Sequence, residues 1–323
     1  MADATEIGLA TLERIIERKR EAYEKLQHIF TYFRSAKDKD SIYFSHKKLQ
    51  EHNIRVSAMD LEHGGKYFRP VSTSEFKTWA YDEGKIRELQ WSPDNLVYRD
   101  AERIYRRCWE LIISEIPDSQ SDDLCLFLQY TPWRKVIIPR TRMGGNFANL
   151  NPDELTDWLS HTALDTYESR PSESHVISFS SHGLRPDKST ESKLARSEIL
   201  VAVDIIMHRM RWPPSLVNHT CPVLMISCFN RQVRMNEVYF EDGNLHFNCT
   251  PFLDMEVFDR SQCELLVRWS VSNPVGETTA YPNLKALPEG YEKFGVLRKS
   301  NKQSKRSSKP KPVQKRLEEL KRG

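Results

Sequence analysis

The sequence predicts an α+β protein: an N-terminal helical region, a mixed domain with a three-stranded meander flanked by helices, and a disordered basic tail. Apolar residues near the N-terminus recur at steps of three and four, which is typical of a long amphipathic helix. Residues 221–249 contain a continuous apolar run and two further strand-like segments, which predict the meander. Residues 296–323 carry 11 lysines and arginines against two glutamates, a composition typical of disorder.

The length and composition allow one large domain or two of ordinary size. The chain has 323 residues, of which 39% are hydrophobic and 29% charged, so most of it should fold. We expect a mainly helical region over residues 1–117, an α+β domain over 118–290 and the tail over 291–323. The whole chain carries +3 and residues 296–323 carry +9, so residues 1–295 carry −6.

Several classes of protein are disfavoured by what the sequence lacks. Charged residues precede any apolar stretch of signal-peptide length, and no run reaches the roughly 18 apolar residues that span a bilayer, so we expect an intracellular protein without a membrane partner. The six cysteines form no CxxC pair, which disfavours a zinc ribbon. No GxxxxGK[ST], GxGxxG, GxSxG or HExxH motif occurs, and no cofactor is predicted.

The first predicted element is the N-terminal helix, whose apolar positions run from Leu9 to Phe33. A heptad pattern places Lys19 at a core position, which weakens the alternative of a dimeric coiled coil and favours packing on the body of the same chain. Between Ala36 and Asn95 the pattern is too broken to predict an element. Whether that stretch forms a separate unit stays open.

The middle of the chain predicts helices and short strands in alternation. Residues 99–116 predict a helix that Pro117 ends, and residues 124–130 and 134–139 predict strands. Asn151-Pro152-Asp153-Glu154 predicts a helix start, because Asn caps, Pro suits the first turn and carboxylates favour the positive end of the helix dipole. This helix should run to about Asp165.

The second half of the chain carries the clearest patterns. Residues 175–182 predict a strand and residues 190–211 a helix, although ILVAVDII alone also fits a buried strand. PVLMISCF, QVRMNEVYF and NLHFNC predict three consecutive strands, the last two joined by a hairpin turn at Asp242-Gly243. Residues 262–272 predict a helix that Asn273-Pro274 stops.

A helix, three strands and a helix is the core order of restriction-endonuclease-like nucleases, which this region resembles in topology. Those enzymes hold a divalent metal with carboxylates on the second and third strands. The alternative hypothesis of a divergent metal-dependent nuclease therefore rests on Asp204, Glu241 and Asp242. The third predicted strand departs from the pattern, because it supplies neither the expected Glu nor the expected Lys.

A resemblance to ADP-ribosyltransferases is a further alternative, with Arg134, Ser178 and Glu237 in the roles of that family's Arg, Ser and catalytic Glu. No E-x-E or Q-x-E pair follows, which leaves the match incomplete. Asp204 and His208, one helical turn apart, fit a hydrogen-bonded pair better than a metal site, since two ligands are too few. RTRMGGNF, at 140–147, fits a solvated loop better than a phosphate site.

The basic tail contains the most specific functional signal. Its clusters resemble a bipartite nuclear-import signal, and such clusters also bind phosphate backbones. We therefore expect a nuclear or cytoplasmic protein whose tail contacts an import receptor or a nucleic acid. The residues of this signal are Arg298, Lys299, Lys305, Arg306, Lys309, Lys311, Lys315 and Arg316.

Three segments, LNPDELTDWLSH, CPVLMISCFNRQVRMNEVYF and SNPVGET, are similar to segments of uncharacterised proteins of filamentous fungi. This resemblance covers residues 151–278 and implies a folded domain without a known activity. The leading hypothesis from the sequence is a non-enzymatic binding protein with an unidentified protein partner.

Overall fold

The computed structural model describes residues 9–35, 42–79, 84, 86–91, 96–117, 124–136, 144–146, 157–166, 173–212, 215 and 218–279. Within them helices pack on a large mixed sheet, so the predicted α+β class is confirmed. The basic tail, including its eight signal residues, lies outside the described residues. No helix in the described parts combines the length and the apolar content that crossing a membrane requires.

Six α-helices occur in the described residues. They are α1 Leu9–Arg34, α2 His46–Gln50, α3 Thr73–Thr78, α4 Val97–Ile112, α5 Arg196–Met210 and α6 Arg260–Ser270. Fifteen strands accompany them. They are β1 Tyr43–Phe44, β2 Ile54–Ala58, β3 Phe68–Arg69, β4 Glu115–Pro117, β5 Leu124–Leu126, β6 Arg134–Val136, β7 Gly144–Asn146, β8 Asp157–Asp165, β9 Val176–His182, β10 Leu194–Ala195, β11 Val223–Phe229, β12 Gln232–Glu241, β13 Asn244–Cys249, β14 Leu253–Asp254 and β15 Asn273–Pro274.

In the part of the chain that the structure describes, the central sheet has nine strands. Its main order is β2-β13-β12-β11-β9-β8-β6, with β14 beside β12 and β7 beside β8. β9 and β11 are parallel, as are β13 and β2, whereas the other neighbours are antiparallel. Every residue of β9 and β11 is buried, which explains why both segments are apolar or weakly polar along their whole length.

Helices cover both faces of this sheet, and each face has its own apolar core. α1 and α5 pack on one face, and α4 and α6 pack on the other. The first core includes Leu26, Phe33, Ile199, Val203, Met225 and Phe247. The second includes Ile104, Leu111, Phe179, Ile226, Met235 and Trp269.

The elements predicted from the clearest apolar patterns are confirmed. α1, β9, the β11–β12–β13 meander and α6 occur close to the expected bounds. The helix expected over 190–211 forms only from Arg196 as α5, because the preceding residues form a turn and the short strand β10. The hairpin turn is where Asp242-Gly243 predicts it, with φ of 48° and 77° at the two residues, the left-handed conformation that such a turn requires.

Three predictions in the middle of the chain need correction. α4 ends at Ile112, and residues 115–117 form β4 instead of a last helical turn. The expected strand at 124–130 is a strand only to Leu126, after which Phe127–Tyr130 form a 3-10 turn. The predicted helix from Asn151 to Asp165 is wrong over its described part, because residues 157–165 form β8.

The physical reason for the last error is pairing at long range. β8 bonds to β9 along one edge and to β6 and β7 along the other, so its backbone groups are satisfied by the sheet. A favourable helix start cannot compete with two neighbouring strands.

Residues 1–117 and 118–290 share one architecture in the described parts. β2, from the stretch without a prediction, pairs with β13, and α4 packs on β9 and β11. The expected boundary at residue 117 therefore does not separate two cores.

Candidate anion-binding groove

α1 packs on the rest of its own chain. The heptad position of Lys19 favoured this arrangement over a dimeric coiled coil. Its apolar face, including Ile16, Leu26 and Phe33, is buried, and the helix packs along α5. The Lys19 side chain is only 6% exposed, and its Nζ donates a hydrogen bond to the carbonyl oxygen of Ser215.

Beside this contact, α1 and α5 enclose an open groove of about 430 Å³. Residues 23, 27, 30 and 34 form its α1 wall, because steps of three and four place them on one face of the helix. Residues 207 and 211, one turn apart, form the α5 wall. The lining residues are Tyr23, Gln27, Phe30, Thr31, Arg34, Ser35, Met207 and Arg211.

Two arginines mark the ends of this groove. The guanidinium carbon of Arg211 lies 4.5 Å from the centre of the Tyr23 ring, and that of Arg34 lies 5.6 Å from the centre of the Phe30 ring. Tyr23 and Phe30 are two turns apart, which separates the two positive charges by about 10 Å along α1. The groove therefore presents two positive charges on aromatic supports.

Neither guanidinium forms a hydrogen bond or an ion pair with any residue that the structure describes. Burial lowers the pKa of Arg211, and no carboxylate of the described residues offsets this effect. Arg211 is half-buried and Arg34 is exposed. Because a half-buried arginine usually has an anionic partner, the Arg211 end of the groove has the electrostatic character of a site for an external anion, and the exposed Arg34 adds a second positive charge.

A second polar cluster lies at the other end of α5. Glu198 and Arg234 form a buried ion pair, with Arg234 Nε 2.9 Å from Glu198 Oε1. Arg234 also donates to the carbonyl oxygens of Glu191 and Lys193, and Glu198 accepts from the amide of Asn236 and the backbone of Ala195. This network is enclosed.

His182 belongs to the same cluster. Its Nε2 lies 2.9 Å from Ser180 Oγ and its Nδ1 lies 2.7 Å from Ser197 Oγ, so both ring nitrogens have partners. Burial lowers the pKa of His182 to about 4, which keeps the ring neutral at physiological pH. All three side chains are fully buried, so this serine–histidine arrangement is a core element and has no access for a substrate.

The carboxylates of the nuclease hypothesis do not come together. Asp204 lies in the middle of α5 and is 7% exposed, whereas Glu241 ends β12 and Asp242 occupies the hairpin turn. Both carboxylate oxygens of Glu241 bind Lys66 Nζ, at 2.7 and 2.6 Å. In the parts of the chain that the structure describes, no three His, Cys, Asp or Glu side chains are grouped to hold a metal ion.

The ADP-ribosyltransferase set is also dispersed. Ser178 pairs across the sheet with Met225, and Met225 with Asn236, so Ser178 and Glu237 face opposite sides of the sheet. Arg134 lies on β6, where it donates to the carbonyl oxygens of residues 131 and 133. These positions do not support a shared catalytic site.

Glu237 instead anchors the loop before β3. Its carboxylate accepts the backbone N–H groups of residues 66, 67 and 68 and the side-chain amide of Asn248, at 2.6 to 3.0 Å. A Cβ at Gly65 would lie 2.6 Å from this carboxylate, so the close approach of the loop requires glycine.

The groove has no sequence signature. Arg211 and Tyr23 are far apart in the chain, and neither belongs to a recognisable motif. The available signal was weak: Arg211 has no carboxylate within four residues on either side, so it lacks a local helical partner. Of the RTRMGGNF stretch, only residues 144–146 lie within the described residues, as β7.

Comparisons with protein-family models, with curated proteins and with solved structures found no match to this chain.

Proposed function

We propose that this protein is a non-enzymatic binding protein whose ligand is a single-stranded nucleic acid. The observation that carries the proposal is the α1–α5 groove, where Arg34 and Arg211 have no carboxylate partner among the described residues. A flexible phosphate backbone offers regularly repeated negative charges, and single strands are typically held by a positively charged groove with aromatic side chains, the combination found here.

The charge distribution along the chain favours the same ligand class. Residues 296–323 carry +9, and a basic tail increases the affinity of a neighbouring site for a polyanion through counterion release. Residues 1–295 carry −6, so non-specific binding of a polyanion over the whole surface of this part is disfavoured.

The test is binding of a labelled single-stranded RNA to the full chain, measured by fluorescence anisotropy from about 50 to about 200 mM NaCl. The double variant Arg34→Gln/Arg211→Gln should bind more weakly. Its slope of log K against log salt should become shallower by about 1.4, because each lost phosphate contact on a single strand contributes about 0.7.

A matched control is Arg14→Gln/Arg18→Gln, which removes the same charge from exposed positions of the same helix outside the groove. The control should retain the wild-type slope. Equal slopes for the groove and control variants would exclude the groove as the contact. RNA shortening in the presence of magnesium would contradict the non-enzymatic part of the proposal.

We also propose nuclear import through the tail, supported by its bipartite pattern of basic residues. A fluorescent fusion of the full chain should accumulate in nuclei. The same fusion with the eight signal residues changed to glutamine should distribute through the cell. An unchanged distribution would contradict this proposal.

A further inference from the structure

The last turn of α5 carries a buried arginine that is only partly satisfied. Arg209 is 4% exposed, its Nη1 lies 2.8 Å from Asp165 Oδ2, and its guanidinium carbon lies 4.1 Å from the centre of the Trp212 ring. The Nε and Nη2 donors of Arg209 are buried and have no acceptor. One edge of the guanidinium is therefore unused.

A second buried cation lies in the same neighbourhood. Lys19 binds the backbone of Ser215, which is joined to Arg209 by successive turn hydrogen bonds from Ser215 N–H to the Trp212 carbonyl and from Trp212 N–H to the Arg209 carbonyl. Lys19 has a backbone carbonyl as its hydrogen-bond acceptor, and no described residue supplies it with a carboxylate. The hydroxyl of Ser215, whose carbonyl accepts that bond, is also buried without a hydrogen-bond partner.

The charges in this cluster do not balance. Arg209 and Lys19 are both buried, whereas the ion pairs that the structure records there contain one carboxylate, that of Asp165. Burial lowers the pKa of Lys19, and the positive charge of Arg209 lowers it further. A buried cation normally has a paired anion, because its desolvation is otherwise uncompensated.

We infer that this cluster, defined by Lys19, Arg209, Trp212 and Ser215, binds a small inorganic anion such as chloride or phosphate. The Nε and Nη2 donors lie on one edge of a planar group, which is the arrangement that binds an oxyanion or a halide through two parallel hydrogen bonds. Lys19, Arg209 and Ser215 are buried, which excludes a polymer. This site is separate from the groove, because Arg209 faces Asp165 of the sheet, whereas Arg211 faces Tyr23 of α1.

The test is thermal unfolding of the full chain in chloride, bromide and phosphate, each at constant ionic strength with gluconate as the bulky reference anion. An anion that binds the folded state should raise the transition temperature with the logarithm of its concentration, by about 5 °C at a hundredfold excess over Kd. Arg209→Gln and Lys19→Met should lose this rise. Arg14→Gln, which removes an exposed charge of α1 outside both the cluster and the groove, should keep it.

Quenching of tryptophan fluorescence tests anion binding at the cluster if Arg209→Gln does not fold. Bromide bound against Trp212 should quench part of the tryptophan fluorescence in a saturable manner, and Trp212→Phe should abolish that component. The ion that stabilises most strongly identifies the ligand. The inference is overturned if chloride, bromide and phosphate all give the transition temperature measured in gluconate, as expected where water alone meets these donors. It is also overturned if the two cluster variants keep the wild-type response.

Discussion

The arginines at the two ends of α5 differ in how many hydrogen-bond and ion-pair partners they have. At the N-terminal end, Arg234 has a bidentate carboxylate partner and two carbonyl acceptors, so its donors are largely used. At the C-terminal end, Arg209 has one hydrogen bond to Asp165 and two donors without an acceptor, and Arg211 has no ion pair with a described residue.

The well-paired N-terminal end of α5 contributes to stability, whereas the poorly paired C-terminal end is suited to binding an anion. A fully satisfied and enclosed polar network stabilises one arrangement of the core and leaves nothing for a ligand. Cations without enough acidic partners reduce stability in the free protein, and an anion that binds them recovers that loss. The C-terminal end of α5 is therefore the better candidate for function, although the N-terminal end contains the more conspicuous residues.

The largest expected effect is at the satisfied end. Glu198→Gln should lower the free energy of unfolding by about 3–5 kcal/mol, because it leaves the buried Arg234 cation without its carboxylate. Urea unfolding monitored by circular dichroism measures this change.

The double variant Glu198→Leu/Arg234→Met is the matched control, since it removes both charges together. It should lose less stability than the sum of the two single variants. Additive losses would show that the two side chains act independently, and the contrast between the ends of α5 would then disappear.

The second expected effect concerns the pH dependence of stability. His182 has a pKa of about 4 in the folded state and about 6.5 when unfolded, so the unfolded chain binds a proton first as the pH falls. Stability should therefore be complete above about pH 6.5 and should decrease by about 3 kcal/mol between pH 6.5 and pH 4.

His182→Gln should lack this part of the pH dependence, because glutamine does not titrate. Urea unfolding at several pH values compares the two proteins, and other titrating groups cancel in the difference. Identical pH profiles would mean that His182 is protonated equally in the folded and unfolded states, which its buried position between Ser180 and Ser197 argues against.

The smallest expected effect on stability is at the groove. Arg211→Gln should change the free energy of unfolding by less than about 1 kcal/mol, because it removes a contact with the Tyr23 ring and no ion pair with the described residues. Thermal and urea unfolding check this value. A loss of several kcal/mol would place Arg211 among the structural residues and weaken its assignment to binding.

The elements that the sequence predicted correctly are those whose pattern is local. α1 and α6 have apolar residues at helical spacing, and β11 is a continuous apolar run. The hairpin turn needs only Asp242-Gly243. In each case the residues that determine the structure are close together in the chain, so the pattern is visible without a partner.

β2 and β8 are strands that the local sequence pattern did not predict. β2 is short and mostly exposed apart from Ile54, and it exists as a strand because β13, about 190 residues later, supplies its hydrogen bonds. β8 follows a strong helix-start signal, yet its neighbours on both sides make it a strand. Tertiary pairing outweighs local propensity when it satisfies more backbone groups.

The sequence by itself determined the α+β class, the meander with its flanking helices, the basic tail and the unusual position of Lys19 inside an apolar helix face. Only the tertiary structure decided which charged side chains are satisfied. Arg234 pairs with Glu198, which lies 36 positions away in the chain. Arg209 pairs with Asp165, which lies 44 positions away. Arg211 meets Tyr23 across two helices. Charge pairing over such distances depends on packing, which no periodicity along the chain records.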